Sequence, residues 1–316
     1  MSSPPAQLVA LFGLDPESYV PHLLHSPERT YVETNCYADI LIEMLHARGD
    51  EPLAAMGCAL RVDFEGDQWT FLKPPPEDLE RVGYLKSFPH LSGAVFAFGG
   101  TEAEAAEQYE RASRHEDWSE HQHMTELVLT PAACYPVYPA VASRGELQPG
   151  GITVDAGGAY VFRHEPSGDP ARMQMFRQRE VVRIGEPQAV EAWWQAWRER
   201  AVELLRGVGL DVELGVANDP FFGRAGRMLA TSQRAQELKF EVSFQIAGPE
   251  PTALASFNYH GEHFASVYGI RLHDGQLAHT ACLGFGLERI ALALFRTHGF
   301  AMRAWPHEVR RTLSLP

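Results

Sequence analysis

Residues Thr280-Ala281-Cys282-Leu283-Gly284-Phe285-Gly286-Leu287-Glu288-Arg289-Ile290-Ala291-Leu292-Ala293-Leu294-Phe295 read as a strand that breaks on glycines into an apolar helix with one arginine in its first turn. Glycines let a flat ligand approach backbone that side chains otherwise screen. A fixed guanidinium near a helix N-terminus offers charge and donors to an anion or an aromatic base. Taken alone, the same pattern also describes a tight turn under a core helix.

Working outward, Tyr160-Val161-Phe162-Arg163-His164-Glu165 and Met173-Gln174-Met175-Phe176-Arg177-Gln178-Arg179-Glu180-Val181-Val182-Arg183 read as two strands joined by a polar loop. Arg163, Arg172, Arg177, Arg179 and Arg183 crowd this stretch, as they would in an anion site or in a surface hairpin laced with ion pairs. Residues 188–208 form the clearest helix, because Val190, Trp194, Trp197, Ala201, Leu204, Leu205 and Val208 recur near a 3.6-residue period. Its tryptophans are expected in the core. Residues 102–114, rich in Ala and Glu, suggest an exposed helix.

Lys73-Pro74-Pro75-Pro76 is the candidate boundary, since successive prolines cannot join a helix or sheet interior. It divides the chain into residues 1–80 and 81–316. Before it, 38–48 has helical spacing and 59–72 alternates like a hairpin, which gives a small α/β N-terminal segment.

With 316 residues, 45% hydrophobic and 22% charged, the composition is that of a globular protein. A net charge of −14 argues against a nucleic-acid binder with a broad basic face. Residues 1–80 carry 14 acidic and 4 basic side chains, so −10 of that charge lies there and −4 in the rest. No apolar run is long enough for a membrane span, and Met1-Ser2-Ser3-Pro4-Pro5 lacks the regions of a signal peptide. A cytoplasmic location without membrane attachment is therefore expected. In that compartment Cys36, Cys58, Cys134 and Cys282 are candidates for thiols or metal ligands before disulfides.

Three segments fall in the order of the signature motifs of class II aminoacyl-tRNA synthetases. They are Val82-Gly83-Tyr84-Leu85-Lys86-Ser87-Phe88-Pro89, the arginine-rich pair of strands, and the run from Leu238-Lys239-Phe240-Glu241 through Ala255-Ser256-Phe257-Asn258 to the opening segment. Thr130-Pro131-Ala132-Ala133-Cys134-Tyr135-Pro136, Phe162-Arg163-His164-Glu165-Pro166-Ser167, Ala217-Asn218-Asp219-Pro220-Phe221-Phe222-Gly223-Arg224 and His279-Thr280-Ala281-Cys282 narrow the likeness. Residues 81–316 resemble the bacterial amino acid:[carrier protein] ligases, truncated relatives of the methanogen-type seryl-tRNA synthetases. Residues 1–80 are similar instead to an uncharacterised bacterial family.

The resemblance implies an α+β fold, an antiparallel sheet flanked by helices. It also implies activation of glycine or alanine by ATP and transfer to the phosphopantetheine thiol of an acidic carrier protein, with no tRNA. By the same resemblance Arg163 and Arg289 are catalytic: Arg163 clamps the α-phosphate, and Arg289 and Phe176 sandwich the adenine whose amino group meets Glu165. Arg172, Met173, Lys239, Ala253, Leu254, Ala255 and Ser256 complete the ATP site. Cys134, Glu180 and Cys282 would hold zinc, which receives the substrate amine, with Glu180 and Asn258 at the amino acid. Mg²⁺ must be held differently from the synthetases, because residues 253–256 lack their carboxylate. Arg224, Arg227 and Arg234 would dock the carrier, and the first motif implies a homodimer. The acidic 1–80 segment is a candidate for occupying or guiding the carrier surface. A non-catalytic paralogue that binds an amino acid or carrier is the competing reading, and a true tRNA synthetase a more distant one.

Overall fold

A computed structural model describes residues 67–69, 76–167, 169–247, 249–313 and 315. The expected helix at 38–48, the first arm of the hairpin, Cys36 and Cys58 lie outside the described residues. In chain order the described elements are β1 (Asp67–Trp69), α1 (Pro76–Arg81), α2 (Tyr84–Ser87), β2 (Ala94–Phe98), α3 (Glu102–Ser113), β3 (Gln122–Val128), α4 (Val137–Ala142), β4 (Ile152–Phe162) and β5 (Met175–Gly185). They continue with α5 (Pro187–Gly207), β6 (Glu213–Val216), α6 (Gly223–Ala235), β7 (Lys239–Phe244), β8 (Thr252–Gly261), α7 (His263–Tyr268), β9 (His279–Gly286), α8 (Leu287–His298) and α9 (His307–Thr312).

Seven strands build one sheet in the order β1-β4-β5-β9-β8-β7-β6, while β2 and β3 pair separately. Every neighbour in the large sheet is antiparallel except β1, which runs parallel to β4. The α+β architecture expected from the sequence is therefore present, with β1 joining the sheet from the N-terminal side of the proline run.

Local chemistry explains the central elements. In β5, Phe176, Gln178 and Glu180 are buried on one face while Arg177 and Arg179 alternate with them. Arg177 donates to Glu288 at 2.6 Å, Arg179 to Asp155 at 2.7 Å, and Arg183 to Thr153 at 3.1 Å and to the Gly150 carbonyl. Of the five crowded arginines, Arg177 thus ties the sheet to α8, while Arg179 and Arg183 bind β5 to β4 within it. Helix α5 buries Val190, Trp194, Trp197, Ala201 and Leu205, the stripe its periodicity predicts, with Pro187 at its first turn. Helix α8 buries every residue from Ile290 to Phe295, as suits a helix that is apolar all round.

Cross-strand partners share a face of a sheet. The register aligns Val182, Cys282, Asn258 and Lys239 in one row, and Glu180, Gly284, Ser256 and Glu241 in the next. Both rows lie on the same face. The opposite face packs under α5, where Trp194 meets Phe240 and Tyr259 at ring-centroid distances of 5.6 Å. No helix among the described residues is long and apolar enough to cross a membrane.

Candidate active site

The functional face begins where β5 grips the turn before α4. Gln178 Oε1 accepts from the Ala133 N–H at 3.1 Å, and Glu180 Oε2 from the Cys134 N–H at 2.8 Å. Gly284 makes this possible: a Cβ there would stand 2.5 Å from Gln178 Nε2. This glycine therefore admits a protein side chain, where the sequence suggested an approaching ligand. The ligand atoms of Cys134, Glu180 and Cys282 lie within 4.8 Å of one another, and all three residues are buried. Two sulfurs and one carboxylate fit a zinc site that keeps a fourth position open. A second grouping, Glu107, Glu120 and His121, is more exposed, and Arg111 already occupies both its carboxylates.

Without metal, this cluster resists ionisation. The Cys282 thiol is pushed well up by its hydrogen bond with Cys134, by burial and by Glu180. For Cys134 the hydrogen bond with Cys282 acts downward, but burial and Glu180 prevail and raise it. Burial also raises Glu180, against the hydrogen bonds from Cys282 and the Cys134 backbone. Around this cluster stand Asn258, with Nδ2 3.7 Å from Cys282 Sγ, and His260, with Nε2 at the same distance. Burial pushes His260 down to about 3, so its ring is neutral.

Arg163 follows the end of β4, its Nε 3.4 Å from the Pro131 carbonyl. Its charge acts on Glu180, Asp219, Lys239 and Arg289, so it stands within electrostatic reach of the Cys134–Glu180–Cys282 cluster and of Arg289 alike. Arg289 sits three residues into α8 and donates to the Ala171 carbonyl at 2.9 Å and the Ala253 carbonyl at 3.2 Å. Burial and the neighbouring Arg163 lower it to about 10, with Glu165, Glu241 and Arg172 also within its electrostatic reach. Met173 and Phe176 are buried beside it, and Arg172 is exposed. The guanidinium lies 4.9 Å from the centre of the Phe176 ring. A base between two planes needs two stacking distances, about 7 Å in all, so the expected sandwich is closed on itself here. A flat base would fit between them only if the guanidinium and the ring separated.

Lys239, expected along the nucleotide, is buried between Asp219 at 2.6 Å and Glu241 at 3.0 Å. Burial opposes its charge, but the two carboxylates outweigh it and hold the ammonium above its ordinary range. Asp219 is fixed in turn by Gln233 of α6, which donates to its carboxylate at 2.8 Å and accepts from its backbone N–H at 2.7 Å.

Arg224, Arg227 and Arg234 stand outside this face, exposed on α6 together with Phe222, Met228 and Leu229. Gly226 is the buried residue of that helix, where a Cβ would meet the Phe221 backbone at 2.7 Å. Phe221 stacks on Phe88 at 4.9 Å, so α6 is rooted on the segment that carries α2. Sequence reading missed Gln178, Asp219, Gln233, Glu241 and His260. Only Gln178 left a signal, its place in the buried alternation of β5.

Comparison with known proteins places these residues in context. Residues 20–113 match the DUF1839 N-terminal domain, a match that runs across the proline boundary. The amino acid–[acyl-carrier-protein] ligase 1 of Bradyrhizobium diazoefficiens is 48% identical over 238 residues, 75% of this chain and 73% of that protein. Ligase 2 of the same organism is 47% identical, over 75% and 71%. The type-2 serine–tRNA ligase of Methanopyrus kandleri is 28% identical over 58% of this chain and 37% of its own length. Among solved structures, the M. kandleri seryl-tRNA synthetase bound to tRNASec superposes with a TM-score of 0.68 at 21% identity, covering 83% of this chain and 55% of that one. The ATP complex of Pyrococcus horikoshii seryl-tRNA synthetase gives 0.52 at 14% identity, over 78% and 51%. These structures establish a class II aminoacyl-tRNA synthetase-like fold.

Proposed function

The chain belongs to the amino acid–[acyl-carrier-protein] ligases, and from that membership we propose a two-step reaction in which a small α-amino acid, glycine or alanine, is joined to a carrier thiol at the expense of ATP. The observation that carries the reading is the convergence of Cys134, Glu180 and Cys282 on the sheet face that also bears Asn258 and adjoins Arg163.

Zinc held by Cys134, Glu180 and Cys282 would supply a Lewis-acidic position for the neutral amino group of the substrate. Asn258 orients the amino acid beside it. The substrate carboxylate then faces the α-phosphate of ATP and attacks it in line, the bond to the β-phosphate breaks, and pyrophosphate leaves. Arg163 stabilises charge on the phosphorus oxygens. Arg289, lifted from Phe176, covers the adenine on one side while Phe176 supports the other, with Glu165 at the exocyclic amine. Arg172, Met173 and residues 253–256 line the nucleotide, and Lys239 carries the positive charge of β7. Mg²⁺ bound with the phosphates would neutralise part of their charge. Strand β8 offers it no carboxylate, whereas Glu241 presents one opposite Ser256.

In the second step the pantetheine thiol loses its proton and attacks the activated carbonyl, releasing AMP and leaving a thioester. Carrier docking is assigned to α6, where Arg224, Arg227 and Met228 share one side at helical spacing. Exposed apolar groups beside basic ones suit the acidic helix of a carrier protein better than a tRNA. Dependence on ATP and on reduced thiols places the reaction in the cytoplasm.

A homodimer is proposed through the β2–β3 hairpin. Phe96 and Met124 are cross-strand partners, 58% and 57% exposed, with Phe98 on the same strand face as Phe96. The acidic segment 1–80 is proposed to guide the carrier, with β1 tying its C-terminal part to the large sheet.

The test is amino-acid-dependent ATP–pyrophosphate exchange with a panel of small amino acids, with zinc content measured on the same sample. Exchange with glycine or alanine and about one zinc per chain is expected. No exchange with any amino acid would favour a binding paralogue.

A further inference from the structure

His260 has no part in the reaction as described, yet it is built into the wall of the metal cluster. It stands on β8 two residues beyond Asn258, the cross-strand partner of Cys282. Its two ring nitrogens face two residues of β9: Nδ1 is 3.2 Å from Thr280 Oγ1 and Nε2 is 3.7 Å from Cys282 Sγ. Thr280 is fully buried and Cys282 nearly so. The ring is held edgewise against Tyr138 at 6.1 Å and Phe264 at 4.9 Å, and those two rings stack on each other at 3.8 Å. The imidazole is thus aimed by packing as well as by hydrogen bonding.

We propose that His260 is a positioning residue for Cys282, its Nε2–H donating to the metal-bound thiolate while Thr280 holds the other nitrogen. The inference rests on the metal reading above. Two observations set the role. First, His260 stands apart from the ligand set: the atoms that all lie within 4.8 Å of one another belong to Cys134, Glu180 and Cys282, and its nitrogen, though 3.7 Å from Cys282 Sγ, does not join them. A fourth protein ligand would also close the position that the substrate amine requires.

Second, the donor count fixes the tautomer. A neutral imidazole carries one N–H, and a thiolate can only accept. With Cys282 ionised by the metal, Nε2 must hold the proton, and Nδ1 accepts from the Thr280 hydroxyl. The Asn258 amide supplies a second donor to the same sulfur at 3.7 Å. Donation to a metal-bound sulfur draws charge away from it, so the metal keeps more of its affinity for a neutral amine. Partners of this kind also fix the ligand's orientation, and their loss typically weakens a metal site about 10- to 100-fold.

The test uses full-length protein loaded with Co²⁺ in place of zinc, in wild type, His260→Leu, His260→Gln and Thr280→Val. Three readouts are taken: the sulfur-to-metal charge-transfer band, the rate of metal transfer to a chelator, and metal content. The expected result is that His260→Leu still binds one metal per chain, shifts the band to lower energy and gives up metal about tenfold faster or more. His260→Gln, whose amide can still donate, moves the band back toward wild type. Thr280→Val, which keeps the ring but frees its tautomer, shifts it part of the way. An unchanged band and transfer rate in both His260→Leu and Thr280→Val would overturn the proposal while leaving the metal site intact. A His260→Leu protein that loses metal together with a change in coordination number would make His260 a ligand and overturn it differently. If wild-type protein takes up no metal, the metal reading itself fails, and His260 with it.

Discussion

At the residue scale, the metal ligands carry the sharpest consequences. Both thiols and Glu180 have folded pKa values above their ordinary ranges, so in the metal-free protein near neutrality the thiols keep their protons. Metal must displace those protons, so rising pH favours binding and falling pH opposes it. Competition with a chelator between about pH 6 and pH 8 should show zinc affinity rising about a hundredfold per pH unit, tenfold for each thiol proton released. A flat profile would mean that the thiols are not the ligands. Arg163→Ala should lower the rate of pyrophosphate exchange about 10²- to 10³-fold with little change in zinc content, the effect of removing one charge-stabilising donor. None of this was legible from spacing. Cys134 and Glu180 are 46 residues apart in sequence, and they meet because β5 presents Glu180 to the turn that carries Cys134. The resemblance supplied the ligand set, but it could not supply Gln178 or His260, whose roles depend on which neighbour the register gives them.

At the element scale, helices with strong periodicity were readable, and those held by single contacts were not. Of the apolar stripe read for α5, Val190, Trp194, Trp197, Ala201 and Leu205 are buried, Leu204 is half-buried and Val208 caps the helix. Glu288, one position before Arg289 in the first turn of α8, is 3% exposed. It accepts from the backbone N–H and the Nε of Arg177 at 2.8 and 2.6 Å, pinning α8 to β5. Glu288→Ala should destabilise the protein by about 3 kcal/mol in urea unfolding, since it removes the carboxylate that the largely buried Arg177 guanidinium faces. A loss under about 1 kcal/mol would mean that water replaces the carboxylate. Helix α6 belongs to the opposite class. Its charges face outward and nothing in its periodicity says what they meet. Charge reversal at Arg227 combined with Met228→Asp should raise the KM for an acidic carrier at least tenfold, more at low salt, while leaving pyrophosphate exchange near wild type. Equal loss of both activities would place α6 in the chemistry rather than in docking.

At the scale of the whole molecule, the resemblance along 81–316 implied an antiparallel sheet flanked by helices but not its strand order, since the first motif falls on α2 and only the later ones lie on strands of the sheet. The β2–β3 hairpin was missed. Strand β2, Ala94-Val95-Phe96-Ala97-Phe98, is apolar at every position and so shows no polar alternation to mark it, and among the described residues it pairs with β3 alone. If this hairpin joins two copies, Phe96→Asp with Met124→Asp should convert a dimer to a monomer in sedimentation equilibrium and leave the fold intact by circular dichroism. A dimer that survives both changes would move the interface elsewhere. Strand β1 carries a practical consequence. Three residues from before the proline run lie along β4 and occupy hydrogen-bonding positions that would otherwise face solvent. A gene cut to begin at residue 76 would encode a protein with a bare sheet margin, a template for sticking to other chains. Where the reading frame is started thus bears on whether the isolated lobe stays dispersed in solution or precipitates.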